Sequence, residues 1–288
     1  MENEMNQMRY GEDYKMIPAT SVGSGVTQEV LPDVICHTIQ IVNICIVENE
    51  ETGEFVLIDA GMPHSYEEII GVVEERYGEG ARPSAIILTH GHFDHVGAII
   101  ELVNHWEVPV YAHHLEMPFL TGKQKYPDPD GSVEGGMVAK MSPMFPNDPI
   151  DLANNVEELP QDQSVPFLPE FKWIHTPGHA PGHVSFFRER DRLLIAGDAF
   201  VTVRQDELYK VYSQEAEING PPRYLTPDWV SAKESVKKLA SLKPAIAITG
   251  HGVPLMGEPL REGLEHLARY FDEVAKPDFG KYVDGTEH

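Results

Sequence analysis

Apolar positions along the chain switch between short unbroken runs and helical spacings. Val34 to Val47 reads as β throughout, as two paired strands, and Phe55 to Ile58 as the next strand beyond the turn residues Glu50 to Glu54. Ser65 to about Tyr77 places Ile69, Ile70 and Val73 at helical intervals behind the cap-like Ser65-Tyr66-Glu67-Glu68, which predicts an amphipathic helix. Ala85 to Leu88 is a short buried strand. Gly91 breaks it, and from Asp94 onward Val96, Ile99, Ile100 and Val103 recur as on a helix. Val108 to Ala112 is a further strand, ending at His113-His114. Strands are also expected at Phe171–Ile174, Val184–Arg188, Arg192–Ala196 and Ala245–Thr249, and helices at Asp228–Leu242 and about 258–274. Such alternation gives an α/β class.

Two stretches do not fit the rhythm. Residues 1 to about 32 are polar and irregular, expected as a loose arm or edge strand. The stretch 115–167 is rich in Pro, Gly, Asp and Met and shows no clear period, yet Met117, Phe119, Leu120, Met144 and Phe145 argue against full disorder. It is read as an insertion over the site within one domain spanning 1–288, an irregular surface loop being the alternative.

At 288 residues the chain can bury a sizeable core, and its 41% hydrophobic share is that of an ordinary globular protein. No apolar run approaches the ~20 residues of a membrane helix, so no membrane partner is expected. The start Met1 to Met8 has neither a basic beginning nor an apolar core, so no signal peptide is expected and a cytoplasmic location is the expectation. Cys36 and Cys45 both lie in strand-like sequence and read as small buried residues in a reducing compartment. The net charge of −24 argues against nucleic acid, because a phosphate backbone demands a basic surface.

The chemistry concentrates where the Ala85–Leu88 strand stops. His90, His92, Asp94 and His95 occupy four of six consecutive positions there. His90 and His92 can point the same way from a turning segment, and Asp94 and His95, on the first turn of the expected helix, can aim back at the same point. Converging imidazoles and a carboxylate suit a borderline metal ion such as Zn2+. A histidine-rich surface loop would not account for a cluster that ends a buried strand.

His90-x-His92-x-Asp94-His95 resembles the H-x-H-x-D-H signature of the metallo-β-lactamase-fold hydrolases, in a branch similar to glyoxalase II and the lactonases. That family completes its site with a later histidine, a bridging aspartate and a final histidine. Thr176-Pro177-Gly178-His179, Gly197-Asp198 and Gly250-His251-Gly252 supply them in order, and the likeness runs from about Ile35 to about Gly257. It implies an αβ/βα four-layer sandwich, two β-sheets face to face with helices outside. It implies two divalent metal ions, zinc first and iron or manganese as alternatives. His90, His92 and His179 would bind one, Asp94, His95 and His251 the other, with Asp198 bridging. Asp94 and Asp198 are thus the carboxylates of the catalytic centre. Asp59, after the Phe55–Ile58 strand, either supports the ligand loop, as an aspartate commonly does there in the family, or caps a turn. His183 is expected to support rather than bind metal, and His113 and His114 are weak substrate-site candidates.

The activity so implied is hydrolysis of an ester, thioester or lactone carbonyl by a metal-bridging hydroxide. A non-catalytic sensor or scaffold and a phosphodiesterase are the alternatives. Zinc β-lactamases of the best-known class place cysteine where Asp198 stands, so antibiotic hydrolysis is not expected. Flavodiiron proteins replace the second histidine with glutamate, so with His92 in that place redox chemistry is not expected. Similar homoserine-lactone lactonases carry a tyrosine three residues past the bridging aspartate, where this chain has Val201. After His251 one helix and a tail are expected, not a glutathione-binding helical domain. The expected partner is a small-molecule substrate; the 115–167 stretch is expected either to shape its pocket or to do so through a contact with a second copy in a homodimer.

Overall fold

The computed structural model describes residues 7–15 and 17–283; the expectations for Met1–Asn6 and His288 lie outside the described residues. The chain divides into two compact units. The first comprises Ser24–Tyr126, Pro146–Pro169 and the described part of Met1–Ala19; the second comprises Thr20–Gly23, Pro127–Phe145 and the described part of Glu170–His288.

The first unit is built on seven strands hydrogen-bonded in chain order: β1 (Thr27–Leu31), β2 (Val34–Ile39), β3 (Val42–Glu48), β4 (Phe55–Ile58), β5 (Ala85–Ile87), β6 (Val110–Ala112) and β7 (Val156–Glu158). β1 to β4 are antiparallel, joined by short turns such as Gln40-Ile41, where Gln40 takes a left-handed φ of 57°. β4 to β7 are parallel, and parallel neighbours need longer crossovers. α1 (Tyr66–Tyr77) joins β4 to β5, and α2 (Ile99–Trp106) joins β5 to β6. β4 and β5 are buried along their whole length, which is why they are unbroken apolar runs rather than alternating ones. Cys36 and Cys45 stand directly opposite each other in β2 and β3, both buried and both free thiols. Their mutual hydrogen bond and burial push the Cys45 thiol well above its ordinary value.

Three expectations change here. Ser65 does not cap α1: its hydroxyl donates to the Met62 carbonyl (2.7 Å), so it closes the preceding turn instead. β1 is the expected edge strand, but the described arm before it is not loose. Tyr10 donates to Glu101 and accepts the Ile100 N–H (3.1 Å), and Asp13 accepts the Asn147 and Asp148 N–H groups (2.6 and 3.0 Å). The 115–167 stretch holds elements of its own: a 3-10 turn at His114–Glu116, α3 (Met117–Leu120), α4 (Met137–Met141), β7, and a short strand β8 (Ser164–Val165). The edge strand β7 escapes pattern reading because its Val-Glu-Glu is largely exposed.

The second sheet has the order β13-β12-β11-β10-β9-β8, with β9 (Leu168–His175), β10 (Val184–Arg188), β11 (Leu193–Gly197), β12 (Ile246–Thr249) and β13 (Leu255–Met256). The second unit's helices are α4, α5 (Leu208–Ser213), α6 (Trp229–Ser241), α7 (Gly257–Arg269) and α8 (Phe271–Val274). Phe187, Leu194 and Ala196 of the sheet share one core with Trp229, Val236 and Leu239 of α6 and Leu260, Leu264 and Leu267 of α7. Asp228 caps α6 by accepting the Ser231 N–H at 2.9 Å. The last expected helix is two, divided at Tyr270. No helix among the described residues is long and apolar enough to cross a membrane.

Candidate metal centre

In the first unit β5 delivers Thr89 and His90, and the loop turns at once. His95 and Val96 both donate their N–H to the His92 carbonyl (2.9 and 3.2 Å). The far side of the loop is stitched to the residues after β4: Ala60 N–H to His95 O (2.7 Å), Gly97 N–H to Gly61 O (2.8 Å) and Ala98 N–H to Ala60 O (3.1 Å). These bonds use the backbone groups that a helix would need, so α2 begins at Ile99 and not at Asp94 as expected. Asp94 and His95 therefore sit in a turn. The structure does bring the imidazoles together: the His90 ring lies 4.7 Å from His92 and 4.2 Å from His95. His90, His92, Asp94 and His95 are all buried.

Asp59 supports this loop directly. Because β4 and β5 are parallel neighbours, the residues after them come side by side. The Asp59 carboxylate accepts the Thr89 N–H, the Thr89 hydroxyl and His95 Nδ1, each at 2.8 Å. With its hydroxyl proton given to Asp59, Thr89 Oγ1 accepts from His90 Nδ1 at 3.0 Å. One carboxylate thus sets both rings in the tautomer whose Nε2 carries the lone pair. It does so from a left-handed backbone, φ 63°, which aspartate tolerates better than most residues. Asp59→Asn is expected to weaken metal binding about 10- to 100-fold, as loss of such partners does elsewhere. Chelator competition on the purified variant would measure it; unchanged affinity would show that Asp59 only shapes the turn.

Two further residues hold the loop, and neither was foreseen. The Gly91 N–H donates to Glu116 Oε2 and to the Tyr126 hydroxyl, both at 3.0 Å, and Tyr126 also donates to Glu116. Burial, and then the charge of Glu116, hold the Tyr126 phenol well above its ordinary range. Their only sequence signal is apolar company in an irregular stretch. Burial likewise pushes up the Tyr14 phenol, followed by the charges of Asp13 and Asp94.

In the second unit three strand ends carry the chemistry. β9 runs into the turn to His179, where Gly178 has φ 134° and a Cβ would lie 2.4 Å from the Ala232 nitrogen of α6. β11 ends at Gly197-Asp198 and β12 leads to Gly250-His251. Asp198 Oδ2 lies 3.4 Å from His179 Nε2 and 3.3 Å from His251 Nε2. Thr226 gives its hydroxyl proton to the Pro222 carbonyl (2.8 Å), so it accepts from His179 Nδ1 (3.3 Å) and leaves the ring's lone pair on Nε2. A lone pair and a carboxylate oxygen then face each other. One cation about 2 Å from each atom would satisfy both, so the donor set fits a metal of the zinc type.

His183 supports, as expected. It is buried, and its Nε2 accepts the Asp198 N–H at 2.9 Å. Its Nδ1 must then donate to Thr176 Oγ1 (2.9 Å); Thr176 passes its proton to Ser185 (3.0 Å), which donates to the Ala196 carbonyl (2.9 Å). The chain of bonds runs one way, fixes a neutral imidazole and anchors the backbone of Asp198. Elsewhere, His113 Nδ1 accepts the Leu115 N–H at 3.4 Å, a local turn bond. The three basic residues between Asp198 and Pro227 are all paired with carboxylates: Arg204 with Asp206 and Glu207, Lys210 with Glu215 and Glu217, Arg223 with Glu134.

Comparison with known proteins agrees with this chemistry. The model of the metallo-beta-lactamase superfamily matches residues 37–251. The chain belongs to that superfamily and has its α/β fold, a family whose members bind divalent metals. It is 49% identical over 259 residues to the probable metallo-hydrolase YflN of Bacillus subtilis, covering 90% of this chain and 98% of that protein. A more distant likeness, 27% identity over 55% of this chain and 45% of the other, is to hydroxyacylglutathione hydrolase of Xylella fastidiosa. Among solved structures, TTHA1623 in a di-iron-bound form superposes with a TM-score of 0.51 at 28% identity, covering 85% of this chain and 96% of that one.

Proposed function

We propose that the protein is a dinuclear metal-dependent hydrolase of an ester, thioester or lactone carbonyl. His90, His92 and His179 hold one ion, Asp94, His95 and His251 the other, and Asp198 bridges them. The observation that carries the reading is the enforced tautomers: Asp59, Thr89 and Thr226 engage Nδ1 of His95, His90 and His179 and so put each lone pair on Nε2, the atom that would ligate a cation. Two metals so held would supply a water ionised near neutral pH and an electrophile for the carbonyl oxygen. The protein's own part is to orient the ligands, exclude water by burying them, and keep Asp198 in place through His183.

A carbonyl substrate of low charge suits the surroundings. The net charge of −24 repels polyanions, and Arg204, Lys210 and Arg223 are already engaged by carboxylates. In the second unit, the exposed Met137, Met141 and Met144 and, on α5, Leu208, Tyr209 and Tyr212 offer adaptable apolar surface for an acyl group. The likeness to hydroxyacylglutathione hydrolase favours the thioester among the carbonyl classes. The test assays an acyl ester, a homoserine lactone, a glutathione thioester and a phosphodiester side by side at equal metal loading. At least one acyl substrate is expected to turn over well above the phosphodiester. The opposite order would overturn the reading.

A further inference from the structure

We propose that Glu116 and Tyr126 act as a positioning clamp that sets metal affinity at the His90–His92 end of the centre; the inference rests on the metal-dependent reading above. Glu116 is fully buried. A carboxylate so placed is costly unless donors surround it. Two of its donors are the Tyr126 hydroxyl and the N–H of Gly91, the residue between the two ligand histidines. A lone backbone N–H asks only for one neutral acceptor, and the Tyr126 oxygen, 3.0 Å away, already supplies one. The charge of Glu116 is thus more than the backbone requires.

The rest of the clamp is steric. Tyr126 stacks on Phe119 at 3.9 Å between ring centres and 11° between planes, which fixes its ring. The same ring backs the His92 imidazole at 4.4 Å. A Cβ on Gly91 would lie 2.7 Å from the Tyr126 hydroxyl and 3.0 Å from Leu120, so the clamp closes on a glycine and admits nothing larger. Backbone, ring and charge therefore act on the three residues His90 to His92. The anion stands in a low-dielectric setting where it attracts a cation held by His92 far more than a solvated one would.

The test uses Glu116→Gln, which keeps shape and an acceptor while removing charge, and Tyr126→Phe, which keeps the ring but removes the hydroxyl. Apo protein of each is titrated with Zn2+ against a chromophoric chelator, and apo melting is recorded in parallel. Glu116→Gln is expected to weaken one of two binding steps about 10- to 100-fold, the range typical for groups behind metal ligands, and to leave the other step unchanged. Tyr126→Phe should weaken the same step by less. The proposal fails if both steps keep wild-type affinity, or if both weaken together in proportion to a fall in apo melting temperature, the mark of a merely structural role. Wild-type protein that binds no Zn2+ at all would overturn the metal reading itself, and this inference with it.

Discussion

Asp198→Ala is expected to bring hydrolysis down to the background rate and to reduce bound metal from about two ions per chain to about one. The same carboxylate oxygen lies 3.4 Å from His179 and 3.3 Å from His251, residues assigned to different ions. No other side chain is assigned to both. The substitution should act through chemistry and not through the fold. Asp198 is held by its backbone N–H, bonded to His183, and that bond survives the loss of the side chain. Leu194 and Ala196, just before it, stay packed in the core they share with α6 and α7. Metal analysis, activity and unfolding of the same preparation separate these effects. A folded variant that keeps two metals and hydrolyses at the wild-type rate would end the bridging role of Asp198, and wild-type protein that never holds more than one ion would end the dinuclear proposal.

Phe55 to Ile58 was legible because burial on both faces writes itself as an unbroken apolar run; Val184 to Arg188 also appears with its predicted limits, although its buried positions include Ser185 and Arg188. The α/β class follows from such runs, while the division into two sheets was implied by the family resemblance. The start of α2 was not legible. Val96 keeps helical spacing with Ile99 and Ile100, yet the backbone around it bonds to Ala60 and Gly61, partners some 35 residues away that no local pattern encodes. Asp59 could be read equally as a support or a cap, because its role depends on β4 and β5 being parallel neighbours. Glu116 and Tyr126 were out of reach for the same reason. Their contacts with Gly91 span 25 and 35 residues and come from a stretch without periodicity. Sequence thus offered the candidate ligands in order, with His183 and Asp59 as candidate supports, while the contacts by which such groups orient the rings came only from tertiary pairing.

Gly97→Ala should be the most damaging single-methyl change in the first unit, and it tests the stitching of the ligand loop directly. Gly97 donates its N–H to Gly61 at 2.8 Å, so the two backbones run in contact. A Cβ at 97 would lie 2.2 Å from both Met62 C and Pro63 N, and 2.6 Å from Gly61 O. All three are backbone atoms, so relief requires moving the segment after β4, which begins with Asp59. Overpacking of this kind typically costs about 1–3 kcal/mol, occasionally more, and rigid backbone on both sides points to the upper end. The shift should also loosen the bond of Asp59 to His95 and so lower metal affinity. Gly71→Ala is the control. It lies exposed inside α1 with nothing within 4 Å of its would-be Cβ, and should stabilise by about 0.5–1 kcal/mol through helix propensity alone. Urea unfolding of both apo variants, with metal titration of Gly97→Ala, decides the matter. If Gly97→Ala proves as stable as wild type and binds metal as tightly, the close approach of the two loops does not hold the site.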